Sequence, residues 1–580
     1  HLIPLASRLQ RANLLARREL AEKLINIASV LPWRDFQGFS LRATSESELR
    51  HGSAREIVLT RSLSWMHTRV LLGVVLLLSP FCSALATRAS PMASKRIIVW
   101  FKGANDLRVH DNPLLARAAE LCAREGASEV VPAFCFDPYS FGQSEYGSTK
   151  MAPHRARFLL ESVADLRAQL KAQCGSDLLV GVGPPEQILG PLASSAPGGS
   201  ILLCSAEVSS EELSVIARVR RALAALKTPA AVETHWMSTV YHLDDLPFKG
   251  LARMPDLFTP FKEKVEREGA IRPMARTPSK GQLPLPANAA SLQTPAASFG
   301  PLPTLEKLGV KAPTDDPRSV LRFFGGESAA LSRVKHYLWD TDSLRTYFDT
   351  RNRMIGADYS SKLSPWLAHG CLSPLKVLEQ CKLYEEQRTK NKSTYWLVFE
   401  LLWRDYFRFF ALKHGTAIFQ PGGVLGETPQ WVTGHVATDR IRRWKEGTTG
   451  MPLIDANMRE LATTGFMSNR GRQNVASYLA LDLNLDWRVG ADHFESLCVD
   501  YDVGSNWGNW VSAAGLARAG RINQFNPVKQ SRDYDADGAY VRLWCPELAK
   551  VPTQYVHTPW EMPLDLQQKI GVRIGEEYPA

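Results

Sequence analysis

The sequence predicts an α/β domain built on a doubly wound parallel sheet, followed by a second domain made almost entirely of helices. From Lys95 onward, short apolar runs alternate with longer amphipathic stretches. After Phe323 the strand patterns end and helical periodicity takes over. With 580 residues, of which 45% are hydrophobic and 22% charged, the chain is globular and too long for a single hydrophobic core.

Five apolar runs predict the strands of the sheet, and amphipathic stretches between them predict the crossover helices. Because β-α-β crossovers are right-handed, the strands should be parallel and the helices should cover both faces. The predicted strands are IIVWF, VVPAFCF, DLLVGV, SILLCS and VETHWMSTVY, and the clearest helices are RARFLLESVADLRAQL and SEELSVIARVRRALAALK. Gly181 and Gly183 do not begin a dinucleotide-binding fingerprint, because two prolines follow them and the next glycine is Gly190.

The domain boundaries follow from composition. Residues 243–310 are rich in proline and alanine and are predicted to be an inter-domain linker with one short helix, FKEKVERE. The α/β domain then spans residues 95–242, the helical domain spans residues 311–562, and residues 563–580 form a short tail.

Residues 1–94 are predicted to lie outside the fold. Their sequence RVLLGVVLLLSPFCSALA combines a basic flank, a short apolar run and a small-residue ending, which is typical of a signal peptide and too short for a spanning helix. Three interpretations remain open: a leader that directs the chain to a plastid or mitochondrion, an upstream segment translated as an artefact, and a membrane anchor. If translation starts at Met92, the expected compartment is the cytoplasm or nucleus.

The charge balance indicates the class of partner, and the cysteines indicate the redox compartment. The chain has 69 Lys and Arg against 59 Asp and Glu, a net charge of +10 that favours a polyanionic partner such as nucleic acid. Its nine cysteines include no CxxC pair and no metal-ligand spacing. They therefore indicate buried thiols in a reducing compartment, and we expect no structural metal and no stable membrane association.

The segment 463–510 carries the strongest chemical pattern of the chain. Buried aspartates need cationic or hydrogen-bonding partners, so Asp500 and Asp502 close to Arg470 and Arg472 indicate charges arranged around a group bound in the interior. On a helix that begins near Ser468, residues three and four apart are neighbours. Asn469, Arg472 and Gln473 should therefore lie on one face of that helix, directed toward the bound group.

A second segment supplies what a phosphate group requires. The sequence YSSKLSP places three serines and a lysine at a predicted helix start before Pro365. Hydroxyls, backbone N–H groups and a cation at such a position can bind a pyrophosphate.

These two segments resemble the flavin-binding part of the photolyase/cryptochrome family. The sequences FMSNRGRQ and DYDVGSNWGNW are most similar to the cryptochrome-DASH branch, and the resemblance extends over residues 95–562. It implies that the helical domain binds FAD. It also implies a folate antenna, 5,10-methenyltetrahydrofolate, in the first domain.

The resemblance implies a set of FAD-binding residues. An Arg472–Asp500 pair would offset the burial of both charges. Asn506 matches the position that faces flavin N5, where an amide can form a hydrogen bond but cannot protonate the ring as a carboxylic acid could. The implied FAD-binding residues are Tyr347, Ser360, Ser361, Lys362, Leu363, Ser364, Arg404, Arg472, Asp500, Tyr501, Asp502 and Asn506.

The resemblance also implies a substrate site for a thymine dimer, which is a flat, partly apolar lesion. Trp403 would pack on the flipped-out dimer while Glu400 forms a hydrogen bond with the base edge. Asn469 and Gln473 would complete the contact with DNA. Arg404 would serve the flavin or a phosphate.

Tryptophans are implied as an electron-transfer chain to the flavin. Trp510 and Trp487 match its two inner members, Trp431 matches the outer member, and Trp444 is the alternative outer member. For the antenna, Glu207 is the candidate for pterin contact. The alternative for Glu207 is a solvated acid at a helix start.

The implied activity is a carbon-carbon lyase that uses blue light to repair cyclobutane pyrimidine dimers, preferably in single-stranded DNA, by electron transfer from reduced FAD. Duplex DNA and RNA are further candidate partners, and the protein is expected to be a monomer. The alternative is a blue-light photoreceptor that binds nucleic acid and signals through its flavin redox state. The family usually has an aromatic residue where Ser512 stands, and the loop 517–524 also departs from its pattern, so repair efficiency is the open question.

Deletion of residues 1–94 should leave a soluble protein that retains FAD, because this segment has no periodic apolar face that could pack on the sheet. The measurement is the ratio of flavin absorbance to protein absorbance in purified full-length and shortened chains. An insoluble or flavin-free product from a start at Met92 would contradict the assignment of this segment as a leader.

Overall fold

The computed structural model describes residues 95–579 except residues 126–127, 197, 295, 428 and 521. The predicted leader and its two candidate start codons, Met66 and Met92, lie outside the described residues.

A mostly parallel sheet forms the centre of the first domain. In the described part of the chain its strand order is β5-β4-β1-β2-β3-β6. Strands β1 to β5 pair in parallel, and β6 pairs antiparallel with β3. The strands are β1 Lys95–Phe101, β2 Ser128–Phe136, β3 Leu179–Val182, β4 Ser200–Ser205, β5 Ala231–His235 and β6 Ala297–Ser298. The predicted parallel sheet is confirmed, although its fifth strand ends at His235, earlier than expected.

The two faces of the sheet belong to different hydrophobic cores. Successive side chains of a strand point to opposite faces, so Ile97 and Val99 enter one core while Ile98 and Trp100 enter the other. The core around Ile97 continues without a break into the helical domain. The helices of the first domain are α1 Pro113–Glu125, α2 Pro153–Gln169, α3 Pro185–Ser194 and α4 Ser210–Ala224.

The segment 243–310 is more ordered than the predicted linker. It provides β6, which extends the sheet beyond β3, and helix α5, Phe258–Glu268. Phe258, Phe261 and Val265 of α5 are buried. The segment is therefore an integral part of the core rather than a free connection, because its apolar residues recur at helical spacing and cover helix α10, Lys392–His414, of the second domain.

The second domain is helical, as predicted. Its longest helix, α10, has 23 residues and begins with a capping box in which the Asn391 side chain accepts hydrogen bonds from two backbone N–H groups of the first turn. Among the described residues, no helix combines the length and hydropathy needed to cross a bilayer. The helices are α6 Glu327–Lys335, α7 Tyr347–Thr350, α8 Ser364–His369, α9 Pro374–Gln387, α10 Lys392–His414, α11 Gly434–Glu446, α12 Pro452–Thr464, α13 Asn469–Ser477, α14 Trp487–Leu497, α15 Val503–Ala513, α16 Pro527–Tyr534, α17 Ala539–Trp544 and α18 Leu564–Ile570.

The predicted short tail is part of the helical domain. Residues 563–579 contain α18 and, near their end, Tyr578, whose ring is fully buried. The Tyr578 hydroxyl donates a hydrogen bond of 2.6 Å to the carboxylate of Asp455 on α12. Together with donors from Thr449 and Gly450, this bond satisfies the buried carboxylate and ties the segment to the core.

The two domains meet along a direct backbone contact. Asn105 and Leu107 donate backbone hydrogen bonds of 3.2 Å each to the carbonyls of Ala368 and His369 at the end of α8. Gly370 follows with a φ of +73°, and a Cβ at this position would lie 1.9 Å from the carbonyl carbon of Asn105. Only glycine allows this approach, which fixes α8 against the first domain.

Candidate cofactor and substrate site

The serine-rich turn before α8 is held by a single guanidinium. Arg333 on α6 donates hydrogen bonds to the carbonyls of Ala357, Ser360 and Ser361 at 2.9 to 3.1 Å and pairs with Asp358 at 2.7 Å. These bonds fix the backbone of the turn, in which Lys362 adopts a left-handed conformation with φ of +54°. Such a conformation is strained for a residue with a side chain and is common at ligand sites.

Lys362 has a buried side-chain amino group that lacks an anionic partner among the described residues. Its side chain is 3% exposed, and its Nζ has no hydrogen-bond partner in the part of the chain that the structure describes. The ammonium lies 3.2 Å from the centroid of the Tyr359 ring. Burial, together with the charge of Arg333, lowers the pKa of Lys362 to about 6. A bound pyrophosphate would supply the missing charge, so the turn fits the group that the sequence predicts.

Ser361 and Leu363 are buried beside this lysine, whereas Ser360 is half-buried and Ser364 is the first residue of α8 and exposed. Tyr347, the first residue of α7, is also buried, and burial raises the pKa of its phenol well above the usual value. Its ring lies edge-on to Tyr337 at 6.3 Å.

The predicted pair between Arg472 and Asp500 is present. Nη2 of Arg472 lies 3.0 and 2.9 Å from the two carboxylate oxygens of Asp500, and Nε of Arg472 donates to the carbonyl of Met467. Burial lowers the pKa of Arg472, but the Asp500 carboxylate outweighs this effect and raises it. The Ser468 hydroxyl caps α13 by accepting from the Gly471 N–H, which places Arg472 on the first turn of that helix, opposite Asp500.

Asp502 belongs to a second charged group. Its carboxylate caps α15 by accepting from the Ser505 N–H at 2.8 Å, and the guanidinium of Arg408 lies 3.9 Å away. Burial raises the pKa of Asp502, but Arg404 and Arg408 outweigh it and hold the pKa below its usual value. A buried, ionised acid at a helix start is thus stabilised by two cations of α10.

Arg404 has protein partners from both domains, and its predicted role at the flavin or a phosphate stays a prediction. Its guanidinium donates to the carbonyls of Ser238 and Leu367 and to the side-chain oxygen of Asn105. These partners lie in the first domain and at the end of α8. Arg404 therefore joins the two domains, because its hydrogen-bond acceptors belong to the first domain and to α8.

Tyr501 also turns away from the pair of aspartates that flank it. Its hydroxyl donates to Glu495 at 2.8 Å, and the guanidinium of Arg155 on α2 lies 4.6 Å from its ring. Alternate residues of this short connection point in opposite directions, so Asp500 and Asp502 face the interior while the Tyr501 phenol faces the first domain.

The side chain of Asn506 is oriented by one hydrogen bond. Its Nδ2 donates to the carbonyl of Ala491 on α14 at 2.9 Å. The amide has a second N–H and a carbonyl oxygen, so this bond orients the side chain and leaves one donor and the acceptor oxygen for other partners. The geometry leaves Asn506 able to donate or accept one further hydrogen bond.

Glu400 lies at the more exposed end of the site, with about one third of its side chain accessible. Its Oε1 accepts hydrogen bonds from Arg351 at 3.1 Å and from the Trp396 indole at 3.0 Å. Burial raises the pKa of Glu400, although Arg351 and Trp396 reduce this shift. The carboxyl group can therefore hold a proton more readily than a solvated glutamate.

Two adjacent residues connect Glu400 to the start of α13. Arg351 bonds to Glu400, and the neighbouring Asn352 accepts a hydrogen bond of 3.1 Å from Arg470. Asn469 and Gln473, on the same helix as Arg470, are exposed. Sequence reasoning overlooked Arg351 and Asn352, since an arginine outside any motif gives no indication of its distant partner.

Trp403 is held from one side by a ring that the sequence did not predict. Phe258 of α5 stacks on it at 3.7 Å between centroids and an interplanar angle of 9°. Phe399 and Tyr406 meet Phe258 edge-on at 5.1 and 5.8 Å. The plane of Trp403 is therefore set by a segment that composition alone assigned to a linker.

The tryptophans of the predicted electron-transfer chain differ in burial. Trp510 and Trp487 are buried, whereas Trp431 is half-buried. Gly490 on α14 allows α15 to approach, because a Cβ there would lie 2.3 Å from the Trp510 ring. Trp444, the alternative outer member, is fully buried and lies 6.1 Å from Trp510. An outer member must reach solvent, so the structure favours Trp431 over Trp444 for that position.

Glu207 is not the solvated acid of the alternative interpretation. Its side chain is 2% exposed, with one oxygen 2.7 Å from Lys102 and the other 3.0 Å from Arg408. Because Arg408 also approaches Asp502, a continuous row of charges runs from the edge of the sheet to the start of α15. The role of Glu207 in binding an antenna stays a prediction.

Comparisons with known proteins agree with this arrangement. A family model described as "DNA photolyase" matches residues 97–281, and one described as "FAD binding domain of DNA photolyase" matches residues 396–580. A Cryptochrome DASH of Gloeobacter violaceus is 49% identical over 489 residues, which are 84% of this chain and 93% of that protein. The chain belongs to the photolyase/cryptochrome family, in its cryptochrome-DASH branch.

Other cryptochrome-DASH proteins and solved structures extend this relationship. A protein of Ostreococcus tauri named "Cryptochrome DASH, chloroplastic/mitochondrial" is 47% identical over 83% of this chain and 89% of its own length. The crystal structure of a cryptochrome from Synechocystis sp. PCC6803 is 42% identical, with a TM-score of 0.76 and coverage of 84% of this chain and 96% of that chain. A bacterial class III photolyase from Agrobacterium tumefaciens is 27% identical, with a TM-score of 0.68 and coverage of 85% and 95%. The chain is therefore a cryptochrome-DASH flavoprotein whose helical domain is the FAD-binding domain.

Replacement of Arg472 by Met should release FAD and lower the free energy of unfolding by about 3–5 kcal/mol, because Asp500 would remain buried without its cation. The double variant Arg472→Met/Asp500→Asn should lose less than Arg472→Met alone. Flavin absorbance per protein and chemical denaturation measure the two effects.

The matched control is Arg488→Met, which removes an arginine of similar exposure from Asp486, whose carboxylate is 22% accessible against 3% for Asp500. Such a pair contributes about 1 kcal/mol or less. Equal losses in Arg472→Met and Arg488→Met would show that the buried pair has no special importance for the flavin site.

Proposed function

We propose that this flavoprotein is a photolyase that repairs cyclobutane pyrimidine dimers under blue light, preferably in single-stranded DNA. The observation that carries the proposal is the position of Glu400, a partly buried carboxyl group of raised pKa on the same helix as the stacked Trp403. A hydrogen-bonding acid beside a fixed aromatic plane suits a flat lesion with carbonyl and N–H edges.

When bound, reduced FAD supplies an electron to the dimer under blue light. The chain's own contribution is to hold the lesion and stabilise the negative charge that develops on a base carbonyl. Protonated Glu400 donates a hydrogen bond to that oxygen, and Arg351 and Trp396 hold the carboxyl group in place through its other oxygen. Asn469 and Gln473 contribute amide donors and acceptors from the exposed start of α13.

Single-stranded DNA is the preferred substrate on energetic grounds. Extrusion of a dimer from a duplex costs a few kcal/mol, and little in a single strand. Stacking on aromatic side chains offsets such a cost, and Ser512 instead directs its hydroxyl to the Gly508 carbonyl on its own helix. Because Ser512 has no aromatic ring, stacking in this site offsets less of the free energy needed to extrude a dimer from a duplex than stacking on two aromatic rings would.

The tryptophan series restores the reduced cofactor. Trp510, Trp487 and Trp431 are readily oxidised side chains, of which the first two are buried and Trp431 is half-buried. We infer that they deliver electrons inward from a reductant in solution, with Trp431 as the outer member. Asn506 would donate or accept the hydrogen bond at the flavin ring.

A folate antenna in the first domain completes the proposal, with Glu207 as its candidate contact. Both oxygens of Glu207 are paired with cations, so pterin contact requires Lys102 or Arg408 to share its carboxylate. The characteristic absorbance of the folate in purified protein tests this part separately from repair.

Blue light should drive repair of dimer-containing oligonucleotides, with clearly higher rates on single strands than on duplexes. Glu400→Ala should lower the rate about tenfold or more, because loss of one strong contact of about 1.4 kcal/mol has this effect. Glu400→Gln keeps a donor and should lose less. Repair is measured from the return of thymine absorbance, with dark samples as the control.

Ser512→Tyr should raise repair on duplexes more than on single strands, because it restores a stacking partner. Wild-type protein that binds FAD and repairs neither substrate would instead support the photoreceptor alternative. In that case nucleic-acid binding that changes with flavin redox state would be the activity to measure.

Photoreduction of the flavin in the presence of a reductant should slow severely in Trp510→Phe. Trp487→Phe and Trp431→Phe should also slow it, whereas Trp444→Phe should have the smallest effect, since Trp444 has no access to solvent. Flavin absorbance under constant blue light gives the rates. Equal rates in the wild type and all four variants would rule out the tryptophan series.

A further inference from the structure

Beside the phosphate-binding turn lies a buried carboxyl group that neither the sequence motifs nor the proposed repair reaction uses. Glu460 on α12 is fully buried. One of its oxygens, Oε2, accepts a hydrogen bond of 2.6 Å from the Tyr540 hydroxyl on α17. Its other oxygen, Oε1, has no protein partner among the described residues.

Glu460 is one of three incompletely bonded polar groups in the same place. Lys362 Nζ and the Tyr359 hydroxyl are buried as well, and neither has a partner in the described part of the chain. The charges of Lys362 and Glu460 shift each other's pKa, so the two groups lie within electrostatic reach without forming an ion pair. Three unsatisfied buried polar groups would together cost several kcal/mol, so a ligand that pairs with them is strongly favoured.

The tight packing of α13 on α12 brings this carboxyl group to the flavin-binding helix. A Cβ at Gly471 would lie 1.8 Å from Oδ1 of Asn457, so only glycine allows the two helices this close. Asn457 in turn accepts from the same Tyr540 hydroxyl, at 3.1 Å. Glu460 thereby faces Tyr540 from α17, Lys362 and Tyr359 from the turn, and Arg472 from α13.

We propose that Glu460 is a further cofactor-binding residue, whose carboxyl group donates a hydrogen bond to an oxygen in the pyrophosphate and ribityl part of FAD, next to the charge of Lys362. Tyr540 holds Oε2 in place, and Oε1 carries the proton toward the ligand. The inference goes beyond the repair reaction and depends only on FAD binding.

The protonation state of Glu460 agrees with this geometry. Burial raises the pKa of Glu460 to about 8, although Tyr540, Lys362 and Arg472 reduce the shift. The group is therefore a donor near neutrality. Above its pKa it becomes a carboxylate that accepts only and repels a phosphate, so binding of FAD should weaken as pH rises through this value.

The dissociation constant of FAD, measured by flavin fluorescence on the full chain between pH 6.5 and 9.5, tests the assignment. Glu460→Gln keeps a donor at the same position but cannot ionise. The ratio of the wild-type constant to the Glu460→Gln constant should be flat below pH about 8 and rise about tenfold per pH unit above it. Burial lowers the pKa of Lys362 to about 6, so its titration lies below the pH range in which the ratio should rise. Glu460→Ala should weaken binding about tenfold or more at pH 7.

Asp455→Asn is the matched control. Asp455 is a fully buried acid on the same helix that is also bonded to a tyrosine, and its two oxygens accept from Thr449, Gly450 and Tyr578. This variant should keep the wild-type pH profile. Two results would overturn the proposal: the same pH dependence of the dissociation constant in wild type and Glu460→Gln, or a pH dependence lost in Asp455→Asn as it is in Glu460→Gln. Either result would assign Glu460 to the packing of α12 or to a buried water. The outcome does not depend on whether the protein repairs DNA.

Discussion

The arrangement of helices around the candidate site depends on two carboxylates, Asp500 and Asp502, which need cationic partners because they lie in the interior. Asp500 and Asp502 lie two residues apart at the start of α15, and an ionised acid in such a place costs several kcal/mol unless it is paired. Asp500 receives Arg472 from α13, whereas Asp502 receives Arg408 from α10. Each pair joins the α15 region to a different helix. The two acids therefore hold together three helices of the candidate site.

The same requirement connects the cofactor site to the first domain. Arg408 lies between Asp502 and Glu207, and Glu207 is bonded to Lys102 at the end of β1. Arg404, one turn earlier on α10, joins the domains through three further acceptors. One continuous hydrophobic core underlies these bonds, so residues of both domains pack together at this contact.

Sequence reasoning succeeded where the relevant partners are close in the chain or are specified by a motif. The strands, the long helices, the serine-rich turn and the Arg472–Asp500 pair were all predictable, because hydrophobic periodicity and charge balance constrain them directly. It missed the bonds of Arg404 to the first domain, the stacking of Phe258 on Trp403, and the packing of residues 243–310 and 563–579. In each case the partner lies more than a hundred residues away, and nothing in local composition indicates whether an apolar residue in a proline-rich segment will find a core.

The two ends of the candidate site are constrained to different degrees. Lys362, Glu460 and Asp500 are buried, so loss of a polar partner there leaves a group unpaired in the interior. Around Glu400, Asn469 and Ser512 the side chains are half-exposed or exposed, so water can replace a lost partner at little cost. Substitutions around Ser512 should therefore destabilise the fold less than substitutions around Lys362, Glu460 and Asp500, so the exposed end can vary while the buried end is constrained.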